Sequence, residues 1–585
     1  MLRFPRAYYL AALLALALSL PSLFADFYCD DLFFVLRLDG VVPTPAPGPF
    51  NLYTFASGAP DQRARFVDHG LLPWWTVDGL RVSFCRPLSS VLFALDHAVA
   101  GHHPLLYHLH SIAWYVLAVL AAARLFRRLL PEREGALATL LFAVVPAHWM
   151  LAAWPSSRHV AISGVFALAA IDLHVARRRP SRDWRPSILA LVCAVLALAG
   201  GETALAVFAY VLAYELLGRS EALSLRMRSL APWAALLLAY TLVYRACGYG
   251  VRGSGPYIDP ITNPAAYLAA LPTRLAVYAD AALLGPPAEI TNLVAKLIPR
   301  LATLGVLGAM AFALLLVLAL SRLDPALRRT VHWLVAGAVA SILPGAAGIP
   351  GDRILFMPSL GITAALAIIF LHAVRRGSSF PFIDFSARAG VVLFAFVHVV
   401  IAPLGFAFSA GRLAATSHAA RAAASAAEIP ARAGLRVYGI GLSDPLVGMY
   451  LAPSLSLAPR PEPRPREVHL LSMSPHDHRV RRTGERTIEI AVDGGTLFDS
   501  AFESLVRPAT ALMHAGDIVA LGTSTVEILA DAAGHPTRFS VTFDRPVDDP
   551  SIALVDWQSG ALRTIPALPI GAEVFIPHEV GPTGL

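Results

Sequence analysis

Long apolar runs separated by short polar segments occupy the first 410 residues of the chain. An α-helix needs about 20 apolar residues to cross the hydrocarbon core of a bilayer. Eleven runs reach or approach that length, at about 7–24, 105–126, 136–152, 159–176, 187–200, 203–218, 229–247, 301–320, 330–346, 354–374 and 389–410. The pattern therefore predicts a polytopic α-helical membrane protein with about 11 transmembrane helices.

One further apolar stretch, 265–299, lacks the pattern of a simple span. Pro272 and Pro286 interrupt it, and Asp280 and Glu289 place carboxylates within it. Irregular backbone at membrane depth must be buried against protein or must line water. We expect an interfacial or re-entrant segment that packs against protein.

The rest of the chain changes character after residue 410. An alanine-rich helix (412–427) and a segment rich in Pro and Arg (453–466) form the connecting region 411–466, and residues 467–585 predict a small β-rich extracytoplasmic domain. Short alternating runs indicate strands, at 435–440, 467–473, 486–492, 523–529, 536–543, 551–557 and 572–576. His476, Asp477 and His478 are expected in an exposed turn. The fold class is thus a helical membrane domain (1–410) with a long first external loop (25–104), followed by a sheet-rich α+β domain.

Composition agrees with a membrane protein and excludes a cytosolic enzyme or a disordered chain. Hydrophobic residues make up 56% of the chain and charged residues 15%, whereas soluble domains have about 45–50% and about 25%. A chain with so few charges cannot solvate a globular surface of this size.

The net charge of +7 comes almost entirely from arginine, because Lys296 is the single lysine. The arginines form short clusters between the apolar runs rather than one basic patch, so we expect no nucleic acid partner. The clusters are Arg3 and Arg6; Arg124, Arg127, Arg128 and Arg133; Arg177, Arg178, Arg179, Arg182 and Arg185; Arg219, Arg226 and Arg228; Arg322, Arg328 and Arg329; and Arg375, Arg376 and Arg388. With 11 spans every cluster falls on one side, which the positive-inside rule identifies as the cytoplasm.

This orientation places the N-terminus in the cytoplasm and the C-terminal domain outside, in a multi-pass protein of the cell (inner) membrane. The first apolar run is also compatible with a cleaved signal peptide ending at Ala25. Leu23 is large where a cleavage site needs a small residue. We therefore favour an uncleaved anchor.

Polar residues beside membrane spans are costly and often functional. Asp30 and Asp31 follow the first span on the predicted external face, where paired carboxylates suit a general base or a metal ligand. The alternative is a solvated helix cap, a position at which aspartate is favoured.

Histidines are concentrated at the start of the second span. His102, His103, His108 and His110 lie within nine residues, and such spacing suits zinc ligands. No nearby cysteine or HExxH pattern supports a metal, so hydrogen-bonding imidazoles in a polar cavity remain the alternative.

Three external arginines oppose the positive-inside trend, namely Arg86, Arg158 and Arg353. The guanidinium fork matches phosphate oxygens, so binding of a lipid-linked phosphate would explain them. The alternative is pairing with Asp30, Asp31, Glu202 or Asp352, which would only stabilise the fold. His148 and Glu202 lie on the same predicted face.

Four segments, taken in order, resemble motifs of the GT-C membrane glycosyltransferases that include the transmembrane-and-TPR protein O-mannosyltransferases and their bacterial relatives. The segments are RPLSSVLFALDHAVAGHHPLLYHLH (86–110), LFAVVPAHWMLAAWPSSR (141–158), GGETALAVFAYVLAYELL (200–217) and DRILFMPSLG (352–361). The chain departs from the family at Ala147, at Gly201, where the family has lysine before the glutamate, and in having no TPR array.

The resemblance implies transfer of a sugar from a polyprenyl-phosphate donor, with inversion, to a protein or glycan acceptor outside the cytosol. It implies that Asp31 is the base with Asp30 as its partner, and that the donor phosphate is bound by Arg158, Arg353 and Arg86. It further implies that His108, His148 and Glu202 line the same cavity. No cofactor is expected for this chemistry, and use of a divalent metal is left open without support from the sequence. A transporter or flippase and a non-catalytic membrane assembly protein are the competing classes.

Cys29 and Cys85 both lie in the first external loop, in an oxidising compartment. We expect either a disulfide between them, which would tie the Asp30–Asp31 segment to Arg86, or two free buried thiols.

Overall fold

The computed structural model describes residues 4–43, 48–176, 185–297, 300–374 and 381–584. Most of the described residues up to 426 are helical, and strands are the main regular element after them. Arg3 and the arginines at 177–182 and 375–376 lie outside the described residues.

The helices coincide with the apolar runs. In chain order they are α1 (Phe4–Ser19), α2 (Asp30–Leu38), α3 (Pro60–Asp68), α4 (Pro87–Ala100), α5 (Pro104–Leu129), α6 (Glu132–Ala143), α7 (Trp149–Ala153), α8 (His159–Ala176), α9 (Arg185–Gly200), α10 (Ala206–Ala213), α11 (Leu223–Ala246), α12 (Pro264–Leu284), α13 (Ala288–Leu297), α14 (Arg300–Leu320), α15 (Pro325–Gly345), α16 (Pro358–His372), α17 (Pro381–Ala395), α18 (Ala402–Ala426) and α19 (Leu451–Leu457). Each of the 11 predicted apolar runs lies on helical structure.

Fewer of these helices are both long and apolar enough to cross a bilayer alone. Within the described residues the spans are Arg6–Phe24, Pro104–Leu129, Pro155–Ala176, Thr303–Leu320 and Asp384–Ala426. The pair Glu132–Ala143 and Pro146–Ala153, bent by 54°, adds a sixth if it is one span. The protein is therefore a mostly helical, multi-pass membrane protein with five or six long apolar spans, and the count of 11 stays a prediction.

The proline-containing stretch 265–299 forms two helices rather than one. α12 ends at Gly285, whose φ of +97° closes the helix. α13 then begins at Ala288, after two prolines. α12 packs against α14. Among the described residues, neither α12 nor α13 is one of the long apolar helices that could cross the bilayer.

Charged residues join helix ends at two places in the bundle. Arg124 Nε of α5 lies 2.9 Å from Asp172 Oδ2 of α8. Arg322 Nη1 donates to the carbonyl of His372 at 2.6 Å, which joins the end of α14 to the end of α16. α5 and α8 therefore end on the same side of the bundle as each other, and so do α14 and α16.

Ten strands follow the last span and form two sheets. They are β4 (Arg436–Gly439), β5 (Glu467–Leu470), β6 (Asp477–Arg482), β7 (Thr487–Asp493), β8 (Ile518–Leu521), β9 (Ser524–Ala532), β10 (His535–Phe543), β11 (Ile552–Gln558), β12 (Ala561–Thr564) and β13 (Glu573–Ile576). A separate three-stranded sheet consists of β1 (Thr54–Ser57) and β2 (Arg81–Ser83) from the first external loop and β3 (Gly250–Arg252). The antiparallel sheet has the order β13-β6-β7-β10-β9-β8, and the mixed sheet β12-β11-β4-β5. In the mixed sheet β4 is parallel to both β5 and β11.

The seven predicted strands are confirmed, but the expected turn at 476–478 is wrong. Asp477 begins β6, whose inward residues are His478, Val480 and Arg482. The Arg482 guanidinium donates to the carbonyls of Gly484 and Leu568, so a cation stands at a core position of this strand.

The first external loop and the sheet-rich domain share one hydrophobic core. Trp74 is fully buried, its ring lies 5.4 Å from that of Phe539, and its Nε1 donates to the carbonyl of Leu471 at 3.1 Å. At Gly70 (φ +67°) a Cβ would lie 1.5 Å from the carbonyl oxygen of Val468, so only glycine permits this approach. The loop is therefore part of the C-terminal domain's core.

Candidate active site

The two predicted catalytic carboxylates begin helix α2. Asp30 and Asp31 occupy its first turn, where the helix dipole favours negative charge. Cys29 precedes them with φ +47°, a value that non-glycine residues rarely adopt. The turn is held by the Asp31 amide, which donates to the carbonyl of Tyr28 at 3.1 Å. Such strain often accompanies functional segments.

Asp31 has no exposed surface. Its Oδ2 accepts the amide of Tyr28 at 3.1 Å, and its Oδ1 accepts the amide of Ser156 at 2.8 Å. Burial raises the pKa of Asp31 to about 8. The expectation that Asp31 faces a cavity is not met, because both oxygens fasten the start of α2 to the 155–158 turn.

Asp30 is half-buried, and its hydrogen-bond partner differs from those of Asp31. The Tyr450 hydroxyl donates to Asp30 Oδ1 at 2.6 Å. Burial raises the pKa of Asp30, and the Tyr450 bond and the positive charges of Arg353 and Arg86 act in the opposite direction. Of the two carboxylates, Asp30 is the one that retains accessible surface.

The three external arginines differ in their partners. Arg158 is 1% exposed; its Nη2 lies 2.5 Å from Asp96 Oδ2, and Asp96 also contacts His110 Nδ1 at 2.6 Å. Arg353 is half-buried, and its side chain forms no ion pair or hydrogen bond with any residue that the structure describes. Arg353 is therefore the available cation, and Arg158 belongs to a buried ion pair.

Arg86 lies between a carboxylate and two aromatic rings. Its Nε lies 2.7 Å from Glu202 Oε2, and its guanidinium lies 4.8 Å from the ring of Tyr53 and 4.5 Å from that of Phe84. Glu202 Oε1 also accepts the amide of Cys85 at 2.9 Å. Glu202 therefore holds the 85–86 turn in place.

The expectation of a disulfide between Cys29 and Cys85 is wrong, because both cysteines are free. Cys29 packs with Ala420 and Leu446, on the side of the C-terminal domain. Cys85 instead lies beside Glu202. The two thiols face different parts of the protein.

The two histidines expected to line the cavity, His108 and His148, have no exposed surface. His148 lies among aromatic rings, with Phe142 at 4.8 Å and Phe356 at 5.0 Å between ring centroids. His108 is buried against the backbone of Ala25. Both are enclosed by protein rather than lining open space.

A second carboxylate pair lies next to Arg353. The Asp352 amide donates to Glu289 Oε1 at 2.9 Å, while Asp352 Oδ2 accepts Trp149 Nε1 at 3.0 Å. Burial, and then the negative charge of Asp352, raises the pKa of Glu289. The pair fixes the segment that carries Arg353.

Sequence reasoning missed two members of the site, Tyr450 and Tyr257. Tyr257 is half-buried, and the charges of Arg353, Arg86 and Asp30 all influence its pKa, which burial raises. No local pattern singles out either tyrosine, since each reaches the site from a distant segment. Among the residues that the structure describes, the site thus combines half-buried Asp30, Arg353 without an ion-pair partner, and the tyrosines Tyr450 and Tyr257.

Comparison with known proteins agrees with the motif resemblance. Protein O-mannosyl-transferase Tmtc1 of Drosophila melanogaster is 37% identical over 121 residues, 20% of this chain and 14% of that protein. Protein O-mannosyl-transferase TMTC3 of Mus musculus is 27% identical over 132 residues, 22% of this chain and 14% of that protein. The chain resembles GT-C membrane glycosyltransferases. It matches only about a seventh of the length of these curated relatives. No family model matches it.

Similar solved structures include ArnT from Cupriavidus metallidurans bound to undecaprenyl phosphate, with 16% identity, a TM-score of 0.38, and coverage of 77% of this chain and 84% of that one. The Archaeoglobus fulgidus oligosaccharyltransferase has 12% identity, a TM-score of 0.38, and coverage of 77% and 63%. The arabinofuranosyltransferase AftD from Mycobacteria has 14% identity, a TM-score of 0.33, and coverage of 75% and 30%.

Proposed function

We propose that this protein transfers a sugar from a polyprenyl-phosphate donor to a hydroxyl of an extracytoplasmic protein or glycan, with inversion. The observation that carries the proposal is that half-buried Asp30 lies within electrostatic reach of Arg353, a cation that has no ion-pair partner among the described residues. The motif resemblance and the O-mannosyl-transferase relatives support the same reaction class.

Asp30, rather than Asp31, is the proposed general base. A base must reach the proton that it removes, and Asp30 has accessible surface, whereas Asp31 has none. The acceptor O–H gives its proton to Asp30 as its oxygen attacks the anomeric carbon. The bond between that carbon and the phosphate oxygen breaks, and the phosphate leaves with the electron pair. A single displacement of this kind inverts the anomeric centre.

Arg353 is the proposed ligand of the departing phosphate. Its guanidinium can form two parallel hydrogen bonds to phosphate oxygens, and stabilisation of the developing charge favours departure. Arg86 is already paired with Glu202, so its proposed role is to position the 85–86 turn beside the site. Arg158 is assigned a structural role, because its partner Asp96 already neutralises it.

We propose that the N-terminus is cytoplasmic and that the sheet-rich domain is outside. The arginine clusters support this orientation, and the contacts of Arg124 with Asp172 and of Arg322 with His372 bring cluster-bearing helix ends together. A reporter that is active only outside the cytoplasm, fused after residue 585, should be active. Activity of a cytoplasm-specific reporter there would contradict the orientation.

The reaction is tested with the full chain reconstituted in vesicles, a panel of radiolabelled polyprenyl-phosphate sugars, and peptide and glycan acceptors. We expect transfer from one donor, a loss of about 10²–10⁴-fold in Asp30→Asn, and a rise in donor KM of about tenfold or more in Arg353→Ala. Arg353→Lys should recover only part of the binding, because lysine lacks the fork.

Asp61→Asn serves as the matched control, since Asp61 lies in the same external loop with its side chain 76% exposed. Undiminished transfer by Asp30→Asn would reject the mechanism. Donor movement across the bilayer without transfer would favour a flippase instead, and neither activity with any donor would favour an assembly protein.

A further inference from the structure

A cluster of three potential metal ligands lies at the far ends of helices α2 and α4. His97 Nε2 lies 3.0 Å from Asp39 Oδ1, and His102 Nε2 lies 2.8 Å from Asp39 Oδ2. One ligand atom from each of the three residues falls within 4.8 Å of the others. The cluster is separate from Asp30 and Arg353, and the proposed reaction does not use it.

The chemistry of these atoms suits zinc. Zinc in proteins takes histidine nitrogen and carboxylate oxygen at about 2.0–2.2 Å, so two ligand atoms on one tetrahedral ion are about 3.3 Å apart. The separations of 3.0 and 2.8 Å, each to a different oxygen of Asp39, are shorter than this, so the side chains must rotate outward to admit the ion. The His102 side chain is 55% exposed, which leaves the fourth position open to water.

The surrounding backbone fixes this arrangement before any ion binds. Gly101 has φ +54°, which lets the chain reverse after α4 and brings His102 back beside His97. The Tyr107 hydroxyl donates to the carbonyl of Gly101 at 2.9 Å and holds that turn. Preorganised ligands lose little conformational entropy on binding.

Packing also holds the two helices together. The rings of Phe34 in α2 and Phe93 in α4 lie 5.2 Å apart, edge to face. The ligands therefore come from two elements that already contact each other, with Asp39 at the C-terminal end of α2 and His97 in the last turn of α4.

We propose that Asp39, His97 and His102 bind a zinc ion that clamps the ends of α2 and α4. At their other ends, α2 begins at Asp30 and α4 begins directly after Arg86. The ion would fix the angle between these helices and so the separation of the site carboxylate from the 85–86 turn. Its role is structural, with no step of the reaction routed through it.

The test uses the full chain, purified without a polyhistidine tag, stripped with EDTA and dialysed against micromolar zinc. Elemental analysis should find about one zinc ion per chain in the wild type. The content should fall at least tenfold in His102→Gln and in Asp39→Asn. His103→Gln is the matched control, because His103 is the adjacent exposed imidazole outside the cluster, and it should retain the wild-type content.

Co²⁺ gives an independent reading, since a four-coordinate site produces strong visible absorption that added Zn²⁺ should abolish. Zinc should also raise the thermal midpoint of the wild type and of His103→Gln, but not that of His102→Gln. Wild-type zinc content in both ligand variants would overturn the proposal. So would an absence of zinc from the wild type, or tighter binding of Fe²⁺, which two histidines and a carboxylate also bind.

Discussion

The hydroxyl of Tyr450 lies 2.6 Å from Oδ1 of Asp30, although 420 residues separate the two along the chain. Tyr450 immediately precedes α19, which packs against α2. The sheet-rich part of the protein therefore supplies a hydrogen-bond donor to a carboxylate at the exit of the first span. This contact makes the C-terminal region part of the candidate site.

We expect Tyr450→Phe to shift the pH dependence of transfer. The lost hydrogen bond favours the ionised form of Asp30, so its removal raises the pKa of Asp30 further. A general base acts when it is deprotonated, so activity falls as the pH falls through its pKa. Because the pKa of Asp30 is higher in Tyr450→Phe, the acidic limb of the kcat/KM profile of this variant should move to higher pH. Tyr9→Phe, at a tyrosine that is 76% exposed, should leave the profile unchanged. An unshifted limb in Tyr450→Phe would contradict this role.

Asp30→Asn and Asp31→Asn should separate activity from stability. An amide oxygen at position 30 can still accept the Tyr450 hydroxyl, so the thermal midpoint should stay near that of the wild type. An amide at position 31 keeps one acceptor for two buried N–H groups, a loss of about 1–3 kcal/mol. Thermal melts in detergent measure both. A lower midpoint for Asp30→Asn than for Asp31→Asn would reverse the assignment.

Arg158→Leu should destabilise the protein, whereas Arg353→Ala should not. Removal of the Arg158 guanidinium takes the cation from buried Asp96 and leaves His110 as its contact, at a cost of up to about 3–5 kcal/mol. Arg353 has no such partner among the described residues. Melting curves and donor KM should therefore separate the variants, with a lowered midpoint only in Arg158→Leu. An unchanged midpoint there would show that Asp96 is satisfied by other groups.

Trp74→Ala should loosen the contact between the external loop and the sheet-rich domain. Truncation of a fully buried tryptophan costs about 3–5 kcal/mol, and the carbonyl of Leu471 also loses its donor. Limited proteolysis should cleave the C-terminal region faster in this variant. Phe50→Ala, at a loop residue that is 57% exposed, should keep the wild-type rate. Equal rates in both variants would mean that this core contributes little to docking.

Apolar periodicity predicted the helical segments and most strands, because both depend on which face of an element is buried. It failed at β6, where Arg482 occupies an inward position and is paired with backbone carbonyls and the Asp548 carboxylate. It also could not separate Arg158 from Arg353. Both arginines stand in the resembling motifs, but only the folded chain brings Asp96 against one of them. Tyr450 lacked any local signal, since its significance arises from a contact across the whole protein.

The long separation between Asp30 and Tyr450 also bears on the protein's synthesis. Ribosomes add about 5–20 residues per second, so the 420 residues between them take about 20–80 s to emerge. Trp74 and Trp75 stay uncovered until the strands that pack against them, which come later in the chain, have been made. A nascent or truncated chain therefore carries its carboxylate without the tyrosine that holds it, and the candidate site is completed only near the end of translation.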